Sequence, residues 1–203
     1  LLVILCLMLT GCAGITPATS GSSQKNTAQK DSFHIVTSFY PMYIATINIT
    51  HGIDGVSVTN MTKPQTGCLH DYQLTTEDMK TLESADAFVV NGAGMESFLD
   101  KVIQKQKNLK IVDASKNIEL LSENGEQNPH VWLSVTAAIQ QVKNITEQLK
   151  AADPQHADAH KAGNVNLCAK LGELHRAHKG QNQAKQQARE RNDGQGGHAA
   201  FVH

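Results

Sequence analysis

The chain has 203 residues, enough for one or two domains with a real core, and a formal net charge of −1 with histidine neutral. That balance excludes a whole-chain electrostatic case for nucleic acid or for an anionic membrane surface. Aromatic residues make up only 4 %, which excludes a broad base-stacking platform.

Residues 1–9, LLVILCLML, are almost wholly apolar. A bilayer-spanning helix needs ~20 such residues, so this run fits the apolar core of a secretory signal. No initiator Met and no basic n-region precede it, and the chain is expected to begin inside its own signal. Leu9-Thr10-Gly11-Cys12 then resembles the bacterial lipoprotein box, which makes Cys12 the expected lipidation site and puts the protein on a membrane surface outside the cytoplasm. Residues 13–32 are small and polar and read as a flexible tether. Cys6 leaves with the signal, and Cys68 and Cys168 are expected to be free thiols.

From Phe33 the pattern changes. FHIVTSF, VSVTNMT, AFVVNGAG and LKIVDAS read as four strands starting near residues 33, 56, 87 and 110. Between them MYIATINIT, TTEDMKTLESA and MESFLDKVIQKQ read as helices, and Thr75 with Asp78 has the spacing of a capping box. Strands spaced by helices predict an α/β lobe with a four-stranded parallel sheet flanked by helices. Ser134 then caps a long helix with Val135, Ile139, Val142, Ile145 and Leu149 on one face, and Asp153-Pro154 restarts helix. After Gly163 the apolar pattern decays into a solvated or disordered stretch.

Two histidines stand out. His70, in TGCLHDYQL, follows the second strand, and His130, in NPHVWLS, follows the fourth after a loop. Loops at the carboxyl ends of parallel strands form the usual ligand crevice. Imidazole is a common ligand for zinc and other first-row metals, and a site needs three or four ligands converging from separate elements. A pair of surface or helix-capping histidines would carry the same signature.

TGCLHDYQLTTEDMKTL, DAFVVNGAGMESFLDK and NPHVWLS, occurring in this order, resemble the zinc and manganese ABC-transporter solute-binding lipoproteins. The resemblance runs from about Phe33 to Leu149. It implies two βα lobes joined by a long helix, with a metal ion in the cleft between them and His70 and His130 as its ligands from the first lobe. GGHAAF resembles the family's third-ligand motif and makes His198 the third metal ligand. A fourth ligand belongs to a second lobe, which is expected to be largely missing here. The implied organisation is a partial signal over 1–12, a tether over 13–32 and a metal-binding lobe over 33–133. A connecting helix over 134–178 and a poorly structured remnant over 179–203 complete it. The chain would thus be truncated or frame-shifted after about residue 160.

The implied function is capture of a metal ion and its delivery to a membrane permease, by a monomer that catalyses no reaction and binds no nucleic acid. Imidazole ligands favour zinc over manganese or iron, although the loop SKNIELLSENGEQ lacks the histidines that many zinc-selective relatives carry there. Trp132 is expected to pack the helix start and is a candidate wall of the site. His156 with His160, and His175 with His178, are spaced like chelating pairs but are expected to be solvated helix faces. The alternatives are a surface adhesion protein, a hydrolase built on three histidines, and a non-functional fragment.

Overall fold

The computed structural model describes residues 32–63, 69, 72–96, 99, 108–123 and 125–196. Cys12 and the rest of the signal and tether lie outside these residues, as do Cys68, His70 and His198. So does most of the helix expected over MESFLDKVIQKQ.

Four strands form, β1 (Phe33–Thr37), β2 (Val56–Asn60), β3 (Ala87–Val90) and β4 (Lys110–Asp113). They build one parallel sheet in the order β2-β1-β3-β4. β3 is central and its four residues, Ala-Phe-Val-Val, are all buried, as an apolar run covered on both faces requires. On one face Ile35, Val89 and Val112 pack with Met42 and Ile49 of α1 (Tyr40–Ile49) and with Val142, Ile145 and Leu149 of α3 (Val135–Ala152). On the other, Val36, Phe88 and Val90 pack with Leu82 of α2 (Thr76–Glu83). The α/β lobe read from the sequence is therefore the lobe that forms. β1 lies between β2 and β3, so the order reverses beside it and the crevice opens at the carboxyl ends of β1 and β3.

The capping box at α2 is present. Thr75 Oγ1 accepts the Asp78 amide at 3.2 Å, and Asp78 Oδ2 accepts the Thr75 amide at 2.7 Å. The Tyr72 hydroxyl donates to the same carboxylate oxygen at 3.0 Å. Burial, then the bond and charge of Asp78, push the Tyr72 phenol up to about 12.

Two expectations about the later chain change. The stretch 134–178 is not one helix: α3 ends at Ala152, a 3-10 turn covers Pro154–His156, and α4 runs from Ala157 to Gly196. The break falls at Asp153-Pro154, where the sequence reads as restarting helix, because Pro154 cannot donate the amide hydrogen that would continue α3. Residues 179–196, expected to be poorly structured, are helical. Their Ala, Gln, Lys and Arg are strong helix formers, and no proline interrupts them. Solvation is as expected, since every residue from Arg176 to Arg191 is exposed. Where α4 crosses α1, Gly163 sits so close that a Cβ there would strike the Ile49 carbonyl.

A short hairpin unforeseen in the sequence, β5 (Ser122–Glu123) with β6 (Glu126–Gln127), lies in the loop before His130. Gly125, between its strands, has φ of 85°, the positive value that tight hairpin turns demand of a central residue. Among the described residues no helix is long and apolar enough to cross a membrane.

Candidate metal centre

His130 is half-buried and stands immediately before a 3-10 turn, Val131–Leu133, that leads into α3. Asn128 Oδ1 lies 3.0 Å from the His130 backbone nitrogen and 2.8 Å from ring Nδ1. A backbone N–H can only donate, so the Asn128 atom it meets is the amide oxygen. Nδ1 must then also donate, which puts the lone pair of the neutral ring on Nε2. Metal-binding imidazoles are commonly held this way, with one nitrogen tied to an oxygen and the lone pair on the other. Asn128 carried no functional assignment in the sequence. Its position two residues before the histidine was the signal.

The loop is tied to the sheet by its backbone. The Pro129 carbonyl accepts Asn91 Nδ2 at 2.9 Å and the Val131 amide at 2.8 Å. Asn91 is fully buried at the carboxyl end of β3. Its backbone amide donates to Glu96 Oε1 at 2.7 Å, and the Gly92 amide donates to Glu96 Oε2 at 3.0 Å. Ser38, just beyond β1, donates its hydroxyl to Glu96 Oε1 at 2.8 Å. Glu96 thus ties together the strand ends that bound the crevice. Burial pushes its carboxyl above the usual range, against the pull of the hydrogen bonds from Ser38, Asn91 and Gly92.

Trp132 packs at the start of α3. Its ring centroid lies 4.9 Å from that of Phe39, edge-on, and 5.2 Å from that of His130. It therefore packs on the core and flanks the imidazole. Beside His130 a cavity of about 470 Å³ is lined by Asn128, Glu119, Leu121, Leu133 and Ser134 among others. Leu121 and Leu133 are exposed at 80 % and 74 %, giving the mouth an apolar rim.

Of the expected ligands, only His130 falls within the described residues, so the structure places neither His70 nor His198 beside it. Among the described residues no group of three or more His, Cys, Asp and Glu side chains could hold a metal ion. The pair His156 and His160 is not a solvated face, contrary to expectation. His160 is fully buried, and its Nε2 donates to Asp153 Oδ2 at 2.9 Å. His156 Nδ1 donates to the same oxygen at 2.8 Å. The helical spacing of His160, Leu167 and Leu171 places all three on the side of α4 that meets the core. His178 is exposed, as expected, and pairs with Asn182. Cys168 is a free thiol.

The lobe is therefore an α/β half-crevice with an Asn128-held imidazole at its strand ends. Residues 35–192 match the family model of the zinc-uptake complex component A periplasmic proteins, ZnuA, and the chain belongs to that family. It is 31 % identical over 186 residues to the high-affinity zinc uptake system protein ZnuA of Bacillus subtilis, which covers 82 % of this chain and 57 % of that protein. It is 27 % identical over 175 residues to the manganese-binding lipoprotein MntA of Halalkalibacterium halodurans, covering 85 % of this chain and 55 % of that one. Among solved structures, the Zn(II)-bound ZnuA-like domain of Streptococcus pneumoniae AdcA superposes with a TM-score of 0.65 and 29 % identity, over 72 % of this chain and 54 % of that domain. The chain thus spans about half the length of the relatives it matches.

Proposed function

We propose that this chain serves as the extracytoplasmic metal-capturing component of an ABC importer, with zinc as its cargo. Family membership supports a transport binding protein over an enzyme, so the three-histidine hydrolase is set aside. The observation that carries the reading to this chain's own residues is the Asn128-held imidazole of His130 at the carboxyl edge of a parallel sheet.

In this reading His70, His130 and His198 supply imidazole nitrogens, and water or an oxygen ligand takes the remaining position. Three neutral imidazoles suit zinc better than manganese, which prefers more oxygen ligands. No covalent step is needed: the ion binds, the loaded protein docks on a membrane permease, and the ion is released. Cys12 would carry the lipid that holds the protein at the outer face of the membrane. Relatives named for zinc and for manganese both match, so selectivity must come from the ligand set.

The test is a zinc titration of the purified chain against a competing chelator, with His70→Ala, His130→Ala and His198→Ala alongside. One-to-one binding that weakens in all three variants is expected. Binding indifferent to His130→Ala would overturn the reading. Binding that survives only His198→Ala would restrict the site to His70 and His130.

A further inference from the structure

We infer that Asn91 and Gln141 form a positioning pair that holds the His130 loop in its metal-ready shape before any ion arrives. This rests on the reading of His130 as a ligand. The two residues come from different elements, the end of β3 and the second turn of α3, and both are buried, at 0 % and 2 % exposure.

Gln141 Nε2 donates to Asn91 Oδ1 at 2.9 Å and to Ser115 Oγ at 3.3 Å, just beyond β4. That bond fixes which end of the Asn91 amide faces α3, and so turns Nδ2 away from the helix. Nδ2 then donates to the Pro129 carbonyl at 2.9 Å, across 38 positions of sequence, and to the Gly92 carbonyl at 3.0 Å. Pro129 is the residue before His130. The chain of contacts therefore runs from sheet to helix to the peptide group adjoining the ligand.

A docking role alone does not account for this. Apolar side chains would dock α3 as well, as Val142, Ile145 and Leu149 on its inner face already do. Buried amides are costly unless fully bonded, and what they add over apolar packing is orientation. Asn91 is held there more firmly than a loop residue usually is. After it Gly92, Ala93 and Gly94 have φ of 76°, 53° and 80°, a turn strained at Ala93 that the Glu96 carboxylate secures through the Asn91 and Gly92 amides. Asn91 therefore cannot follow the His130 loop. The loop must conform to Asn91.

The variant that separates positioning from packing is Asn91→Asp. It keeps the size and the oxygen that Gln141 bonds but, once ionised, has no proton to give the Pro129 carbonyl. Burial favours the protonated form, so the measurements are made at alkaline pH. The expected result is a loss of zinc affinity of about 10-fold or more, the range seen when a residue supporting a metal ligand is removed. In the metal-free protein, amide hydrogen exchange at His130, Val131 and Trp132 should accelerate while that of β1 and β3 stays slow. Ser115→Ala removes only the longer Gln141 bond and should leave both readouts unchanged. If Asn91→Asp does not fold, Gln141→Met, which keeps the packing of α3 but frees the Asn91 amide, makes the same prediction. Wild-type affinity together with unchanged exchange at His130 in the folded variant would overturn the inference. Should the wild-type chain bind no zinc, the proposed function fails, and the exchange rates alone still decide whether Asn91 holds the loop.

Discussion

Asn128 Oδ1 accepts two hydrogens from His130, one from the backbone at 3.0 Å and one from ring Nδ1 at 2.8 Å. The imidazole is therefore fixed in tautomer and direction by a neighbour two residues away. Asn128→Ala should weaken zinc binding by about 10- to 100-fold. Asn128→Asp, which keeps an acceptor at the same place, should recover most of it. Competition with a chromophoric chelator checks both, and equal affinity in wild type and Asn128→Ala would show that the ring needs no such support.

Gly92 and Gly94 both have positive φ, at 76° and 80°, but their surroundings differ. A Cβ at Gly94 meets nothing within 4 Å, whereas one at Gly92 would collide with the Asp113 carboxylate. Gly94→Ala should thus carry only the backbone penalty of about 1 kcal/mol. Gly92→Ala should cost clearly more, because Asp113 is held by the Ser115 amide on one of its oxygens and must move. Urea unfolding of the two variants gives the comparison, and similar midpoints would refute it.

Glu96 gives the lobe a pH dependence of known sign. Unfolded, its carboxyl titrates near the ordinary 4.5, and folded it titrates higher, because burial disfavours the charge. The folded state then holds the proton more tightly than the unfolded state. Stability from this group is full below the unfolded value and is lost as pH rises through the folded one. Glu96→Gln removes the titration, along with an acceptor for the Asn91 and Gly92 amides. The stability of wild type relative to this variant should fall as pH rises above 4.5 and then level off. A difference that stays constant from pH 4 to 7 in urea unfolding would mean that burial does not dominate at Glu96.

Asp153 is buried and serves two histidines unequally exposed, His160 at 0 % and His156 at 19 % of the side chain. His160→Leu takes the donor on the buried side of that carboxylate, where water cannot replace it, and should cost about 1.5–3 kcal/mol. His156→Leu should cost less, since water can replace the lost donor. Thermal or urea unfolding orders the two variants, and the reverse order would place the anchor of the α3–α4 turn at His156.

Local pattern made the βα order legible. The strands at Phe33, Val56, Ala87 and Lys110 announce themselves by stretches of four to five residues rich in β-branched and aromatic side chains, and α2 by its capping box. These features depend on neighbours in sequence, so sequence carries them. Where the pattern depends on solvent it misled. The polar run after Gly163 reads as solvated or disordered, yet a helix of good helix formers can extend without a core of its own. His160 reads as a surface residue, yet helical spacing turns it inward with Leu167.

By itself the sequence determined a parallel α/β lobe and a histidine at the mouth of its crevice. It did so because strand and helix formation obey short periods, and because Pro129 and Trp132 flank that histidine. Only the tertiary structure decided how that histidine is aimed. The bonds that aim it run from Asn128 to the ring, from Asn91 to Pro129, and from Gln141 to Asn91 across 50 positions of sequence. The distant ones have no period and no local signature. They arise when the sheet order brings the ends of β1, β3 and β4 to one edge and α3 docks across them.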